Sequence, residues 1–307
     1  MSGAYAAVVT PFTSHGTPDP GQVTDLVLHL KNRDCKGILV GGSTGEAQSL
    51  SVKERREVMS AAAHASSGLS LLIGTGAASL EDSVDLTRAA YEHNIDAVVV
   101  IPPFFYISVT DDGLVAYFSE LINRAVPRDG KVLLYHNPIL TSTFVTTNLI
   151  RKLVDAFPNQ VVGIKDSGSD LDYTTALSKE FPNLEILVGD DRLLLSALEL
   201  GAAGAITGLS NLFPDFLNDV YSAYRAGKSG AAQQERLSDL YQKLDGLPRI
   251  AAIKAVLVAG NVIANAEVRP PLRSLTSMEV DLLRDRFNFE SRPDHFMSRN
   301  SAARGSK

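Results

Sequence analysis

The sequence predicts a parallel (β/α)8 barrel, a TIM barrel of the α/β class, followed by a C-terminal helical extension. Eight short apolar runs recur between residues 4 and 210 of the 307-residue chain. Each run is continuously hydrophobic rather than alternating, which is typical of parallel strands buried on both faces. Amphipathic stretches lie between the runs, and polar capping residues and glycines flank many of them. Eight such units favour a closed barrel over an open doubly wound sheet, whose first strand is usually followed by a glycine-rich phosphate turn.

The order of these patterns also predicts how the chain is divided. The predicted strands are 4–12, 37–42, 70–76, 97–103, 131–137, 161–167, 184–190 and 204–210. Helical patterns such as 51–66 and 80–94 separate them, and further helical patterns follow at 231–245, 249–260 and 276–288. We therefore expect a barrel over residues 1–227, a helical region packed on it over residues 228–291, and a flexible tail over residues 292–307.

Composition and charge exclude several classes of function. The net charge of −6 argues against a nucleic-acid binder, which needs a basic surface. No apolar run reaches transmembrane length, and the N-terminus lacks the features of a secretory signal, so we expect no membrane association. Cys35 is the only cysteine and the six histidines are scattered, so no disulfide framework and no metal site are expected. A cytoplasmic protein fits these features, and an organellar compartment stays open.

Lys165 ends the apolar run VVGIKDS, which is an unusual setting for a surface lysine. In a barrel, reactive groups lie at the C-terminal ends of the strands. Burial disfavours the charged ammonium form, and a neutral amine can attack a carbonyl to form a Schiff base. The alternative is a lysine that reaches solvent or pairs with Asp166. Lys254, in a helical pattern, is a second apolar lysine that we expect to pair or to reach solvent along its stem.

Two further features are predicted to lie at the same barrel mouth. Tyr135 ends the fifth run, and its hydroxyl could transfer protons; the alternative is a core tyrosine with a satisfied hydroxyl. The segment GGSTGE (41–46) offers Ser43, Thr44 and exposed backbone N–H groups that could hold a small anion, although it could equally be a helix cap. No GxSxG motif supports serine hydrolysis.

The motifs GGSTGE, YHNP, VVGIKDSGSD and VRPPLRSLT, in this order, resemble the dihydrodipicolinate synthase/N-acetylneuraminate lyase family of class I aldolases. The resemblance covers roughly residues 3–290. It implies a (β/α)8 barrel, usually in a homotetramer or dimer, that binds pyruvate or a related small-molecule 2-oxo acid. It also implies a Schiff-base mechanism that needs neither a metal nor an organic cofactor.

The resemblance further implies roles for individual residues. Lys165 corresponds to the Schiff-base lysine and Tyr135 to the proton-transfer tyrosine, relayed through Thr44. Ser43 and Thr44 correspond to residues that hold the carboxylate, and Ile206 to a residue beside the pyruvyl group. Positions that would meet the variable part of the substrate are Gly189, Asp190, Asp191, Leu140 and Arg192.

Three positions depart from the patterns of the known branches. Leu140 stands where synthases carry an arginine that binds the aldehyde substrate's carboxylate, and an apolar side chain cannot make that contact. Phe105 stands where synthases place a tyrosine that completes a proton relay across a subunit contact; Tyr106 could replace it only after a one-residue shift. Arg192 replaces the acidic residue common in sialic acid lyases. We hypothesise that it meets a second substrate carboxylate.

These departures favour a carbon–carbon lyase that interconverts a hydroxylated 2-oxo acid with pyruvate, or a glyoxylate-type 2-oxo acid, and an aldehyde. Candidate substrates are 4-hydroxy-2-oxoglutarate and 2-keto-3-deoxy sugar acids. One alternative is a dihydrodipicolinate synthase that condenses pyruvate with aspartate semialdehyde. The other is a non-catalytic 2-oxo acid binding protein on the same barrel.

Overall fold

The computed structural model describes residues 1–288 and contains the predicted barrel. Eight parallel strands follow one another around the barrel in chain order, and the eighth pairs with the first. The strands are β1 (Gly3–Ala7), β2 (Gly37–Val40), β3 (Ser70–Gly74), β4 (Ala97–Val100), β5 (Val132–His136), β6 (Val161–Asp166), β7 (Glu185–Val188) and β8 (Gly204–Thr207). All eight predicted strands are confirmed, but each ends before its apolar run does, because the last residues of the run enter the following loop.

Helices cover the outside of the barrel and form the C-terminal region. They are α1 (Pro20–Asn32), α2 (Val52–Ala65), α3 (Leu80–Ala90), α4 (Asp111–Ala125), α5 (Pro138–Thr141), α6 (Thr147–Ala156), α7 (Leu171–Glu180), α8 (Leu194–Glu199), α9 (Pro214–Arg225), α10 (Ala231–Gln242), α11 (Arg249–Ala259) and α12 (Ser277–Phe287). Short 3₁₀ turns lie at Ala47–Ser49, Asp191–Leu193 and Leu209–Asn211. Local capping explains several starts: Ser51 and Glu54 form a capping box on α2, as Thr276 and Glu279 do on α12.

The alternation of side chains along each strand creates two apolar layers. Leu39, Leu72 and Leu133 point into the barrel, whereas Val132 and Leu134 pack beneath the helices. Because successive side chains point to opposite faces, Tyr135 lies inside with Leu133. The Tyr135 side chain therefore lies in the barrel interior, in the same cluster as Leu39, Leu72 and Leu133.

The C-terminal helices pack closely on the barrel. In α10, the Gln234 amide accepts a hydrogen bond from Leu195 N and donates one to Asp191 O. In α11, Ala252, Ile253, Val256 and Leu257 are buried. The division at residue 227 falls between α9 and α10 and remains a proposal, and the predicted tail over 292–307 lies outside the described residues.

Within residues 1–288, no helix combines the length and the apolar character that a membrane span requires.

Candidate active site

Lys165 and Tyr135 meet inside the barrel at the C-terminal ends of neighbouring strands. They are register partners on β6 and β5, and both side chains are buried. The Lys165 Nζ lies 4.0 Å from the centroid of the Tyr135 ring. An amine held against an aromatic ring on a rigid strand is positioned in a fixed orientation, which nucleophilic attack requires.

The Tyr135 hydroxyl has two polar neighbours besides Lys165. The Asn137 Nδ2 donates to Tyr135 Oη at 3.1 Å, and the Ser43 Oγ lies 3.5 Å from the same oxygen. Burial by itself raises the pKa of Tyr135, but the positive charge of Lys165 and the neighbouring hydrogen bonds outweigh burial and lower the pKa to about 8. A phenol with this pKa can both accept and return a proton near neutral pH.

The segment 41–46 forms a compact turn after β2, beside Tyr135. Gly41 has a φ of +72°, and a Cβ there would lie 3.0 Å from Gly74 O, so the chain needs a glycine at this point. The backbone N–H groups of Gly45 and Glu46 are bonded within the turn, to Gly42 O and Ser43 O. In the part of the chain described, no partner is found for the N–H groups of Ser43 and Thr44. Two free N–H groups in a turn that approaches Tyr135 form a suitable site for a carboxylate.

Thr44 lies near Gly208. A Cβ on Gly208, after β8, would lie 3.6 Å from Thr44 Oγ1. The hydroxyl that approaches Tyr135 Oη is that of Ser43, and residues 1–288 contain no hydrogen bond between Thr44 and Tyr135. The predicted relay through Thr44 therefore stays a prediction.

Ile206 lies on β8, and Gly189 and Asp191 lie directly after β7. Ile206 is buried in the same interior cluster as Tyr135. A Cβ on Gly189 would lie 2.0 Å from Ser167 Oγ, so only glycine fits there. Asp191 is buried next to Thr207; its Oδ1 has no hydrogen-bond partner among the described residues, and burial raises its pKa to about 7.

Arg192 is engaged within the chain. Its Nε and Nη2 donate to the carboxylate of Asp190 at 3.0 Å and 2.7 Å, and its guanidinium lies over the ring of Tyr241. Arg249, which the sequence analysis did not single out, covers the same ring at 3.9 Å and pairs with Asp245. The ion pair between Arg192 and Asp190 weakens the hypothesis that Arg192 meets a second substrate carboxylate.

Leu140 lies in α5, at the exposed rim beyond Tyr135. Its side chain is 55% exposed and brings no charge to the mouth. Phe105 and Tyr106 are also exposed, and their rings meet edge to face at 5.4 Å. Tyr106 makes no hydrogen bond to Tyr135 within the described residues, so its role as a relay tyrosine stays a prediction.

Lys254 forms a buried ion pair, as one of its two predicted interpretations required. Its Nζ lies 2.5 Å from Glu46 Oε1 and donates to Glu267 O at 2.6 Å. Both side chains of the ion pair are fully buried. This lysine is bound to a carboxylate in the segment 41–46 and does not face the barrel interior.

Asn137 is a further residue that the sequence did not single out. It lies in the motif YHNP, but its type alone did not distinguish a helix cap from a partner of Tyr135. The contact depends on how α5 leaves the strand, which sequence spacing does not specify.

Comparison with known proteins identifies the family. The model of the family described as "Dihydrodipicolinate synthetase family" matches residues 1–287. The chain belongs to this family. A protein of Chloroflexus aurantiacus named "Uncharacterized DapA-like lyase" is 37% identical over 283 residues, covering 92% of this chain and 94% of that protein. The chain is accordingly a carbon–carbon lyase of the class I aldolase type.

Two further family members illustrate the range of similarity. The 4-hydroxy-tetrahydrodipicolinate synthase of Methanoculleus marisnigri is 31% identical, with 92% of this chain and 97% of that protein covered. The crystal structure of YagE, a prophage protein of E. coli K12 from the dihydrodipicolinic acid synthase family, was solved in complex with pyruvate. It superposes with a TM-score of 0.88 at 26% identity, covering 94% of this chain and 98% of that one.

Proposed function

We propose that this lyase cleaves or forms a hydroxylated 2-oxo acid through a Schiff base on Lys165. The observation that carries the proposal is the buried Lys165 amine, held 4.0 Å from the Tyr135 ring at the C-terminal end of the barrel. The pyruvate bound by YagE suggests pyruvate as the 2-oxo acid product. A protein that only bound a 2-oxo acid would not need a buried lysine next to a tyrosine of lowered pKa.

The proposed cleavage begins with attack of the neutral Lys165 amine on C2 of the substrate. The resulting carbinolamine loses water and becomes an iminium ion. A phenolate at Tyr135 then takes the proton of the C4 hydroxyl, and the electron pair of the C3–C4 bond moves into the iminium, giving an enamine and a free aldehyde. Protonation of the enamine at C3 and addition of water release pyruvate and regenerate the amine.

The segment 41–46 is proposed to hold the substrate's C1 carboxylate. The unpaired N–H groups of Ser43 and Thr44 and their hydroxyls supply the donors. Since Ser43 Oγ also approaches Tyr135 Oη, a carboxylate bound here would place C2 between Lys165 and the turn. Ile206 would lie against the pyruvyl group from the other wall of the barrel.

Asp191 supports a polyhydroxylated tail on the substrate. Its Oδ1, which has no hydrogen-bond partner among the described residues, can accept a hydrogen bond from a substrate hydroxyl. Arg192, the residue after Asp191, is paired with Asp190, and Arg249, whose charge acts on Asp191, is paired with Asp245. We therefore favour a 2-keto-3-deoxy sugar acid over 4-hydroxy-2-oxoglutarate, which carries a second carboxylate.

Dihydrodipicolinate synthesis is the second candidate, because the Methanoculleus marisnigri relative carries the synthase name. Aspartate semialdehyde has a carboxylate that needs a cationic partner at the rim. Leu140 and its exposed neighbour Ile139 offer none. This contrast makes the synthase reaction the less favoured of the two.

The decisive experiment is borohydride trapping with pyruvate, followed by intact and peptide mass spectrometry. We expect a reduced adduct on Lys165, none in Lys165→Met, and an unchanged adduct in Met278→Glu, a surface control. The absence of an adduct would remove the Schiff-base mechanism and favour the non-catalytic binding protein. Adduct formation on another lysine would show that the active site has been misassigned.

A substrate screen then separates the two candidate reactions. Cleavage of 2-keto-3-deoxy sugar acids and of 4-hydroxy-2-oxoglutarate is followed by coupled detection of pyruvate. Condensation of pyruvate with aspartate semialdehyde is measured in parallel. A higher kcat/KM for the condensation than for any cleavage would reverse our preference.

The assembly and the compartment also remain proposals. Three consecutive apolar residues, 105–107, are exposed at the rim together with Ile139, Leu140 and Phe144. An exposed apolar patch of this kind marks an interaction surface. We propose a homo-oligomer, a dimer or tetramer, that covers this patch, in a cytoplasmic protein.

A further inference from the structure

Asn137 joins the catalytic strand end to the helix that follows it. It is buried, and it is the N-cap of α5. Its backbone carbonyl accepts bonds from Leu140 N and Thr141 N, each at 3.1 Å, and from Thr141 Oγ1 at 2.9 Å. The backbone of Asn137 is therefore held in one conformation, which also restricts its side chain.

The cap determines which way the Asn137 amide faces. Its Oδ1 accepts a bond from Leu140 N at 3.3 Å. A backbone N–H can only donate, so the oxygen of the amide must face the helix and the NH₂ group must face Tyr135. The bond to Leu140 N thus fixes the orientation of the amide, and in that orientation Nδ2 donates to Tyr135 Oη.

The hydrogen bond that Asn137 Nδ2 donates affects the ionisation of the Tyr135 hydroxyl. The charged group that faces the Tyr135 ring is Lys165, and the polar groups at its hydroxyl are Asn137 and Ser43. A serine hydroxyl can donate or accept, whereas an amide NH₂ can only donate. Asn137 is therefore the uncharged neighbour whose bond always stabilises the phenolate relative to the phenol.

We propose that Asn137 is a positioning residue whose capped amide directs a fixed hydrogen bond at Tyr135 Oη and so prepares that oxygen to accept the substrate's hydroxyl proton. The inference rests on the proposed function for its catalytic consequence. The hydrogen bond itself is a property of the resting protein. Asn137 need not touch the substrate, because it acts through Tyr135.

Asn137→Asp is the sharpest test, because it preserves the shape and the cap while replacing the donor with an acceptor. Aspartate caps helices about as well as asparagine, so the fold of α5 is retained. Asn137→Ser is the matched control: serine also caps a helix, but its hydroxyl is too short to reach Tyr135. We expect unchanged thermal midpoints within a few degrees for both variants.

The first readout is the ionisation of Tyr135, measured as tyrosinate absorbance against pH. The chain has nine tyrosines, so the titration of each protein is subtracted from that of the same protein carrying Tyr135→Phe. We expect Asn137→Asp to raise the pKa of Tyr135 by about one unit or more and Asn137→Ser to raise it by less. An unmoved pKa in Asn137→Asp would overturn the proposal, whether or not the protein is active.

The second readout is a double-mutant cycle on cleavage activity. We expect Asn137→Asp to lower kcat roughly tenfold or more with little change in KM, because it acts on the proton acceptor. In a Tyr135→Phe background the same substitution should have no further effect. An equal loss in both backgrounds would assign Asn137 a purely structural role. Borohydride trapping at Lys165 reports on the proposed function separately, so failure of one claim does not conceal the other.

Discussion

At the residue scale, the site depends on the strand register that pairs Lys165 with Tyr135. Each side chain changes the chemistry of the other: the lysine charge stabilises a phenolate, and a phenolate can accept the proton that the amine must lose before attack. A tyrosine whose pKa is lowered toward neutrality can accept and return a proton at neutral pH, which acid–base catalysis requires. Asn137 and Ser43 complete the set around the same oxygen.

Removing the lysine charge should therefore move the ionisation of Tyr135. In Lys165→Met we expect the pKa of Tyr135 to rise from about 8 to above 10, since burial alone raises it. In the wild type, cleavage should increase as pH rises through 8, because the phenolate takes the substrate proton. Tyrosinate absorbance and a kcat–pH profile test the two statements. A wild-type profile without an inflection near pH 8 would contradict the assigned role of Tyr135.

Asp191 should show a conflict between stability and substrate binding. Its pKa is raised to about 7 by burial, so the folded state binds more protons than the unfolded state between pH 4 and 7, and its contribution to stability falls as pH rises. We expect Asp191→Asn to stabilise the protein more at pH 8 than at pH 5. It should also raise KM for a hydroxylated substrate roughly tenfold.

Thermal melts at both pH values and steady-state kinetics measure the two effects. The yield of pyruvate adduct at Lys165 serves as the internal control, because pyruvate has no hydroxylated tail. An unchanged KM for every hydroxylated substrate would remove Asp191 from the substrate site.

At the element scale, the segment 41–46 is held from behind by the C-terminal region. Glu46, at its end, pairs with Lys254 on α11 and also accepts a hydrogen bond from Arg269 N at 2.8 Å. The Arg269 guanidinium binds Glu54 at the start of α2. The turn that carries Ser43 and Thr44 is thus fixed by residues more than 200 positions away in the chain.

Breaking the buried Glu46–Lys254 ion pair should lower the free energy of unfolding far more than breaking the partly exposed Glu54–Arg269 pair. We expect Glu46→Gln or Lys254→Met to lower the free energy of unfolding by about 3 kcal/mol or more, because each leaves a buried group without its partner. Glu54→Gln, whose ion pair is about one-fifth exposed, should cost about 1 kcal/mol. Urea unfolding measures all three, and equal losses would contradict the dominance of the buried pair. The double variant Glu46→Gln/Lys254→Met should lose less than the sum of the single losses.

At the scale of the whole molecule, several large apolar side chains are exposed at the rim of the barrel. Phe105, after β4, and Ile139, in α5 after β5, are 76% and 80% exposed. Both segments follow the C-terminal ends of strands, where the mouth of a barrel lies. Burial of this surface in an oligomer would also shield the reaction from bulk water.

Charges placed on this rim should dissociate the proposed oligomer. We expect the wild type to elute as a dimer or tetramer and Phe105→Glu/Ile139→Glu to elute as a monomer, in size-exclusion chromatography with light scattering. Met278→Glu, at an equally exposed position on α12, is the control and should keep the assembly. A monomeric wild type, or an unaltered mass in the double variant, would contradict the proposed interface.

Much of the architecture could be predicted because it depends on local patterns. The eight continuous apolar runs specify buried parallel strands, and their closure in chain order follows from the helices between them. The strand ends were less predictable, since an apolar run such as 97–103 continues into the loop after Val100. Lys165 and Tyr135 could be predicted as neighbours because both end adjacent strands, and every barrel strand directs its C-terminal end to one mouth.

The sequence by itself determined the barrel, the family and the proximity of Lys165 and Tyr135. Hydrophobic periodicity specifies the strands, and the order of the strands in the chain specifies which of them are neighbours in the barrel. Only the tertiary structure decided that Ser43 rather than Thr44 approaches Tyr135, that Arg192 is paired with Asp190, and that the Asn137 amide donates to the Tyr135 hydroxyl. It also decided that Lys254 belongs to an ion pair that supports the site from outside the barrel. These contacts depend on loop conformations and on distances between residues that are far apart in the chain. Tertiary packing sets those distances, and a local sequence pattern does not predict them.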